Sequence, residues 1–166
     1  MKLKIHLLTI AVFSLSSAYS FCDDKELMKK ITASYDKISK SISCKSITVF
    51  SLKKILDKNE AHILLDIRSP EEQKVSMLPN SITKEQFLKN PDEFKNKKII
   101  AYCTIGYRSG KFAEKHKGRN VLNLEGGILA WSHIKGKFFK DNKETKQVHI
   151  HSKDWNFLHS DYKAVY

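Results

Sequence analysis

The fold is decided by the stretch KIIAYCTIGYRS, residues 98–109. Its first half is a short apolar run, which is typical of a buried parallel strand. Its second half carries a cysteine and a glycine suited to a tight turn, and it leads into a segment that favours a helix, residues 109–117. The order predicts a strand, a sharp turn and a helix, with Cys103 at the carboxyl end of the strand.

We interpret the turn after Cys103 as an anion-binding loop. Its backbone N–H groups should point inward, and the N-terminus of the following helix adds partial positive charge. This field favours a thiolate over a thiol, and the thiolate is the nucleophilic form of cysteine. Arg108 adds a fixed cation, which should either bind the oxyanion of a substrate or brace the loop through a carboxylate.

The other loop residues have supporting roles in this hypothesis. Gly106 has no Cβ, so the backbone can bend close to the sulfur. Ser109 is the candidate N-cap of the helix behind the loop. Ile105 and Tyr107 should shape the entrance, and the amides from Thr104 onward should stabilise a bound anion.

Strand-like and helix-like segments alternate on both sides of this stretch. Residues 62–67 and 120–124 read as strands, and Ser69 and Thr83 read as helix N-caps. Such alternation predicts an α/β fold with a central, mostly parallel sheet covered on both faces. In such sheets, ligands bind beyond the carboxyl ends of the strands, which is where Cys103 is expected.

Four segments in this order resemble a single-domain rhodanese, a member of the sulfurtransferase family. They are residues 64–72 (LLDIRSPEE), 78–82 (LPNSI), 103–109 (CTIGYRS) and 124–131 (LEGGILAW). The resemblance implies a rhodanese-like three-layer α/β/α fold and no cofactor. It also implies a Cys103 persulfide that carries a sulfane sulfur from a donor such as thiosulfate to a thiophilic acceptor.

The resemblance bears on two further pairs of residues. Asp66 and Arg68 match family residues that brace the active site, and a purely structural salt bridge is equally consistent with them. Ser76 and Met77 stand where the family usually has Gly-His, which we interpret as a packing change.

Three functions are consistent with this site. The first is a thiosulfate-type sulfurtransferase. The second is an exported persulfide carrier or redox relay, and the third is a non-catalytic rhodanese binding module. Four residues separate Cys103 from Arg108. The resemblance extends to phosphatases of the same fold, but their loop is longer because it must surround a whole phosphate. The shorter loop of this chain therefore does not predict a phosphatase.

The first twenty residues read as a secretory signal. Lys2 and Lys4 form a basic start, residues 7–15 are an apolar core too short to span a bilayer, and Ala18-Tyr19-Ser20 is a small-x-small cleavage site. We therefore expect an exported protein, periplasmic or secreted, with a mature start at Phe21 and no stable membrane span after cleavage. Cleavage after Ala18 and an uncleaved anchor are the alternatives.

The chain has three cysteines, an odd count. Export implies an oxidising compartment. The expected division is a Cys22–Cys44 disulfide and a free Cys103, with two further free thiols as the alternative.

The formal net charge is +12. Most of the positive charge is lysine scattered along the chain, with no basic run interleaved with aromatic residues, so no nucleic-acid partner is predicted. The charge should instead attract a small anionic sulfur donor. A thiol or cyanide is the expected acceptor, and an exported redox protein is a further candidate partner.

We divide the chain into a signal peptide (1–20), an N-terminal amphipathic helix segment (21–45), a rhodanese-like domain (46–135) and a C-terminal extension (136–166). Residues 24–42 should form the helix, because apolar residues recur at helical spacing. Residues 135–146 read as a linker or exposed loop, and residues 148–151 alternate as an edge strand would. Four aromatic residues should anchor the extension: Trp155, Phe157, Tyr162 and Tyr166.

His149 and His151 have a spacing that zinc or copper can use. The sequence places no third ligand near them, so we predict no metal.

Overall fold

A five-stranded parallel sheet forms the centre of the molecule, in a computed structural model that describes residues 23–166. The strands are β1 (Ser46–Ile47), β2 (Ile63–Asp66), β3 (Ile82–Thr83), β4 (Ile99–Tyr102) and β5 (Val121–Leu124). Their spatial order is β1-β5-β4-β2-β3. The central strand β4 is buried at every position, as its uninterrupted apolar sequence predicts.

Six α-helices accompany this sheet within the described residues, together with two short 3₁₀ helices, Pro91–Phe94 and Lys153–Trp155. The α-helices are α1 (23–39), α2 (Val49–Asp57), α3 (Pro70–Val75), α4 (Lys84–Lys89), α5 (Tyr107–Lys115) and α6 (Gly127–His133). One apolar cluster joins α1, α2 and α6 to one face of the sheet. A second cluster joins α4 and α5 to the other face. The predicted three-layer α/β/α fold is therefore confirmed.

Local capping signals fix where the short helices begin. The Ser69 side chain accepts from the N–H of Glu72, and the Glu72 carboxylate accepts from the N–H of Ser69. Thr83 and Gln86 form the same reciprocal pair at the start of α4. Each pair satisfies N–H groups that a helix start leaves without a partner within the helix. Helices of only six residues therefore begin at defined positions.

The prediction of a linker or exposed loop over residues 135–146 is wrong. The segment forms an antiparallel hairpin of β6 (Phe138–Lys140) and β7 (Lys143–Thr145). Phe138 is fully buried and packs edge-on against Tyr162, with ring centroids 5.2 Å apart. A buried aromatic side chain thus helps to hold a lysine-rich hairpin on the domain, because its charged residues can point to solvent.

The rest of the extension forms β8 (Gln147–His149) and β9 (Lys163–Val165), which pair in parallel. Trp155 and Phe157 pack against the main core, whereas Tyr166 is 51% exposed and is not an anchor.

The helix α1 packs on the α/β domain and is tied to the extension. Ile31 is buried in the main core. At its start, the Asp24 carboxylate accepts hydrogen bonds from the N–H and the hydroxyl of Ser160. Among the residues that the structure describes, no helix is both long and apolar enough to cross a membrane.

Two predictions lie outside the described residues. The signal peptide is one of them. The other is the Cys22–Cys44 disulfide, because only the half-buried Cys44 is described. Both stay predictions.

Candidate active site

The sulfur of Cys103 lies directly beyond the carboxyl end of β4, where the residue is 1% exposed. The N–H of Gly106 donates to Sγ at 3.2 Å, and the hydroxyl of Ser109 lies 3.4 Å from Sγ. Both groups can donate to an anionic sulfur. The strand, the turn and the start of α5 thus enclose the sulfur as the sequence predicts.

Ser109 does not cap the helix, and that prediction is wrong. The helix α5 begins at Tyr107, and its N-cap is Gly106 in the left-handed conformation, with φ of 105°. The turn is so tight that Ser109 already lies inside the first helical turn. Its buried hydroxyl donates to Oδ1 of Asn123 at 2.7 Å and also lies beside Sγ. Because a hydroxyl has one proton, it can donate to Asn123 or to the sulfur at a given moment.

Asn123 links the loop to the neighbouring strand and to α1. Its Nδ2 donates to the carbonyl of Gly106 at 2.9 Å and to the hydroxyl of Tyr35 at 3.2 Å. These bonds fix Oδ1 as the acceptor that faces Ser109. The loop is therefore held from β5 and from the N-terminal helix at once.

Arg108 braces the loop through Glu72. Its guanidinium makes two parallel hydrogen bonds to the Glu72 carboxylate, at 2.6 and 2.7 Å, and a third to the hydroxyl of Thr104. Burial raises the pKa of Glu72, but hydrogen bonds from Arg108 and from the N–H of Ser69 outweigh this effect and lower the pKa to about 2. Glu72 is thus ionised at neutral pH and neutralises Arg108. Of the two roles considered for Arg108, this geometry fits the brace.

Asp66 and Arg68 form a buried ion pair. Nε and Nη2 of Arg68 both contact the Asp66 carboxylate, and both side chains are fully buried. The guanidinium also donates to the carbonyls of Ser76 and His149. The pair therefore fastens the turn before Leu78 and the C-terminal extension to the domain.

A cavity of about 320 Å³ opens beside the sulfur. Five predicted site residues line it, namely Cys103, Thr104, Ile105, Tyr107 and Arg108. Three residues that the sequence reasoning did not place there line it as well, namely Ile38, His151 and Trp155. Within residues 23–166, no group of three or more His, Cys, Asp or Glu residues is arranged to hold a metal.

Sequence reasoning also missed the functional contacts of Glu72 and Asn123. The sequence marks Glu72 only as part of the helix start after Ser69, since its partner Arg108 lies 36 positions away in sequence. Asn123 carried one weak signal, because it is a polar residue within an otherwise apolar strand. Such a residue in a central strand needs a hydrogen-bonding partner.

The fold and the site define a class of protein, a parallel α/β domain with a cysteine loop at the carboxyl edge of the sheet. Within that class, the model of the rhodanese-like domain matches residues 48–134, and the chain belongs to this family. The match leaves out α1, β1 and residues 135–166.

Similar proteins agree with this assignment. A sulfurtransferase of Allochromatium vinosum is 34% identical over 89 residues, which cover 49% of this chain and 82% of that protein. The putative sulfurtransferase YtwF of Bacillus subtilis is 28% identical over 93 residues, covering 52% of this chain and 89% of that protein. The solution structure of a rhodanese-like domain from Anabaena superposes with a TM-score of 0.52 at 18% identity, covering 60% of this chain and 82% of that domain, and it supports the fold alone.

Proposed function

We propose that this protein is a sulfurtransferase that moves a sulfane sulfur from a donor such as thiosulfate to a thiophilic acceptor through a persulfide on Cys103. One observation carries the proposal. The Cys103 sulfur lies at the start of α5, within 3.2 Å of the Gly106 N–H, and opens on a cavity of small-molecule size. An N–H donor and a helix N-terminus favour an anion at this position.

The reaction has two displacement steps. The Cys103 thiolate attacks the outer sulfur of thiosulfate, so that a new S–S bond forms, the donor's own S–S bond breaks, and sulfite leaves with the bonding electrons. Cyanide or a thiolate then attacks the outer sulfur of the persulfide and leaves as thiocyanate or a new persulfide, which restores the Cys103 thiolate. Covalent catalysis of this kind predicts ping-pong kinetics.

The surrounding residues hold the anion in place during both steps. The N–H of Gly106 and the hydroxyl of Ser109 face the sulfur, and the Arg108–Glu72 pair holds the loop in shape. The N–H of Gly106 is already oriented toward the sulfur and needs no rearrangement during the reaction.

The test is sulfur transfer to cyanide in wild-type protein, Cys103→Ser and Cys44→Ser. Cys44 is the matched control, because it is half-buried and does not line the cavity beside Cys103. We expect Cys103→Ser to abolish turnover and Cys44→Ser to retain it. Intact mass after incubation with thiosulfate should rise by about 32 Da, one sulfur atom, only where Cys103 is present. Sulfur transfer that survives Cys103→Ser would refute the proposal.

A persulfide carrier or redox relay serving another exported protein is the second candidate. It is favoured by one observation, that Glu72 occupies the guanidinium of Arg108 and so leaves this cation less available to an inorganic anion. A gain of one sulfur on Cys103 without turnover to cyanide would select the carrier. If neither occurs, only the role of a binding module is left.

We also propose that the protein is exported to the periplasm or outside the cell, since residues 1–20 have the composition of a secretory signal. The intact mass of protein recovered from the exported fraction tests this. A mass that begins at Phe21 is expected, and a full-length mass would contradict cleavage. The same spectrum, before and after reduction, reports whether Cys22 and Cys44 are bonded.

A further inference from the structure

Two segments outside the matched family domain form one wall of the cavity beside Cys103. The matched domain comprises residues 48–134. Ile38 belongs to α1, which precedes it, and His151 and Trp155 belong to the extension, which follows it. The properties of this wall are therefore particular to this chain's own additions to the domain.

The wall is fixed in place by several independent contacts. Trp155 ends a short 3₁₀ turn, Lys153–Trp155, and its ring packs edge-on against Phe157 with centroids 6.0 Å apart. Both rings pack on the main apolar core. The Asp24–Ser160 hydrogen bonds join α1 to the same extension. Such anchoring gives the cavity a preformed shape, which is typical of small-molecule sites.

The cavity lining offers apolar contact and little free charge. Ile38, Ile105 and Trp155 present hydrocarbon or aromatic surface. The guanidinium of Arg108 is engaged by Glu72 and Thr104. Within residues 23–166, the ring nitrogens of His151 have no hydrogen-bond partner, so the exposed imidazole can contact a ligand.

An inorganic dianion would lose much hydration in such a cavity, and burial of charge without a partner is costly. A singly charged donor with an apolar group would lose less hydration and would bury its apolar surface favourably.

We propose that the sulfur donor is an organic sulfane-sulfur compound with an apolar group beside its transferable sulfur, and that Trp155 and Ile38 determine this specificity. The inference rests on the proposed sulfurtransferase function. The transferable sulfur lies against Cys103, and the apolar group lies between Ile38 and Trp155. A volume of about 320 Å³ accommodates a single aromatic ring with its sulfur group.

The chemistry is balanced for an organic thiosulfonate, R–SO₂–S⁻. The Cys103 thiolate attacks the terminal sulfur, and a new S–S bond forms. The bond between that sulfur and the sulfonyl sulfur breaks, and the sulfinate R–SO₂⁻ leaves with the electron pair. No proton is consumed, and no external oxidant or reductant is required. The N–H of His151 can donate a hydrogen bond to a sulfonyl oxygen of the donor.

The test compares three donors on the full chain with cyanide as the acceptor: the benzenethiosulfonate anion, the methanethiosulfonate anion and thiosulfate. The first two share their charge and reacting atoms and differ in apolar size. We expect kcat/KM for benzenethiosulfonate to exceed that for thiosulfate by about tenfold or more, with methanethiosulfonate between them.

Variants of Trp155 then test whether the cavity wall causes the preference for benzenethiosulfonate over thiosulfate. Trp155→Ala should lower kcat/KM for benzenethiosulfonate by about tenfold and for thiosulfate by less than about twofold, whereas Trp155→Phe should retain most of the preference. Tyr166→Ala is the matched control, because this exposed aromatic residue belongs to the same extension and does not line the cavity. Tyr166→Ala should change kcat/KM for neither benzenethiosulfonate nor thiosulfate.

The outcomes separate this inference from the proposed function. Equal use of all three donors by wild-type protein would overturn the inference. So would a Trp155→Ala variant that loses activity with benzenethiosulfonate and with thiosulfate to the same extent. In both cases the proposed sulfurtransferase function would still stand. If no donor leaves sulfur on Cys103, both proposals fall. The wild-type donor series needs no variant, so it decides the question even if Trp155→Ala does not fold.

Discussion

Substitution of Glu72 by glutamine tests whether Arg108 is a brace or a substrate ligand. The Glu72 side chain is 4% exposed and holds the Arg108 guanidinium by two hydrogen bonds. Glutamine preserves the size and can still accept from the N–H of Ser69, but it removes the negative charge. The substitution therefore leaves the helix cap in place and weakens the link to the loop that follows Cys103.

The expected loss of stability in Glu72→Gln follows from the pKa of Glu72, which is lowered from 4.5 to about 2. Since each pKa unit corresponds to about 1.4 kcal/mol, the ionised carboxylate stabilises the fold by about 3 kcal/mol at neutral pH. The Arg108 side chain is 33% exposed, so solvent screens part of the interaction. We therefore expect Glu72→Gln to cost about 2 kcal/mol, which lowers the midpoint of thermal unfolding by about 4–8 °C in a chain of this size.

The pH dependence has a definite sign. Because the pKa of Glu72 is lower in the folded protein, the unfolded chain binds more protons between pH 4.5 and about pH 2. The contribution of the carboxylate is complete above this window and is lost as the pH falls through it. The free energies of unfolding of wild type and Glu72→Gln should therefore differ at pH 6 and converge toward pH 3.

Urea unfolding at both pH values measures this, with Glu71→Gln as the control. Glu71 is the exposed neighbour of Glu72 on the same helix, and its substitution should have a smaller effect. An equal cost of Glu72→Gln at pH 6 and pH 3 would refute the electrostatic reasoning. Kinetics add a second readout. Loss of a brace should lower kcat, whereas a lower KM for thiosulfate would mean that the released Arg108 binds the donor directly.

Two further substitutions test the loop and the extension. Gly106→Ala should cost about 1–3 kcal/mol and lower sulfur transfer at least tenfold, because φ is 105° and a Cβ would lie 2.7 Å from the Tyr35 ring. Gly118→Ala is its control, since a Cβ there meets nothing within 4 Å, and an equally active Gly106→Ala would contradict the loop geometry. Phe138→Ala should cost about 3–5 kcal/mol in chemical unfolding, because the ring is fully buried. Phe139→Ala should cost less since that ring is partly exposed, and similar losses in both variants would show that Phe138 is not an anchor.

Much of the domain could be predicted because its signals are local. The reciprocal caps at Ser69 and Thr83 need residues only three positions apart, and both form in the structure. The strand before Cys103 is apolar throughout and is buried throughout. These features depend on neighbouring residues, so one stretch of sequence contains all the information that they require.

The active-site loop shows where local reasoning ends. Serine is a common N-cap, so residue type alone favours Ser109 as the start of α5. The turn instead closes within three residues of Cys103, Gly106 takes the left-handed N-cap position, and Ser109 is available for Asn123 and the sulfur. The bond between Arg108 and Glu72 connects two helices that are far apart in sequence, and no local pattern identifies such a partner.

The sequence also fails to predict the hairpin of residues 138–145, because the residues that hold this hairpin on the domain are far away in sequence. Met77 and Phe139 exchange two backbone hydrogen bonds, at 2.8 and 2.9 Å, so the Ser76-Met77 turn is the point where the hairpin attaches. Arg68 reinforces the attachment by holding the carbonyls of Ser76 and His149. Two residues beyond His149, the chain reaches the cavity at His151. The turn at Ser76-Met77 and the C-terminal extension are thus parts of one packing arrangement, and contacts far from Cys103 in sequence hold the segment that lines the cavity beside it.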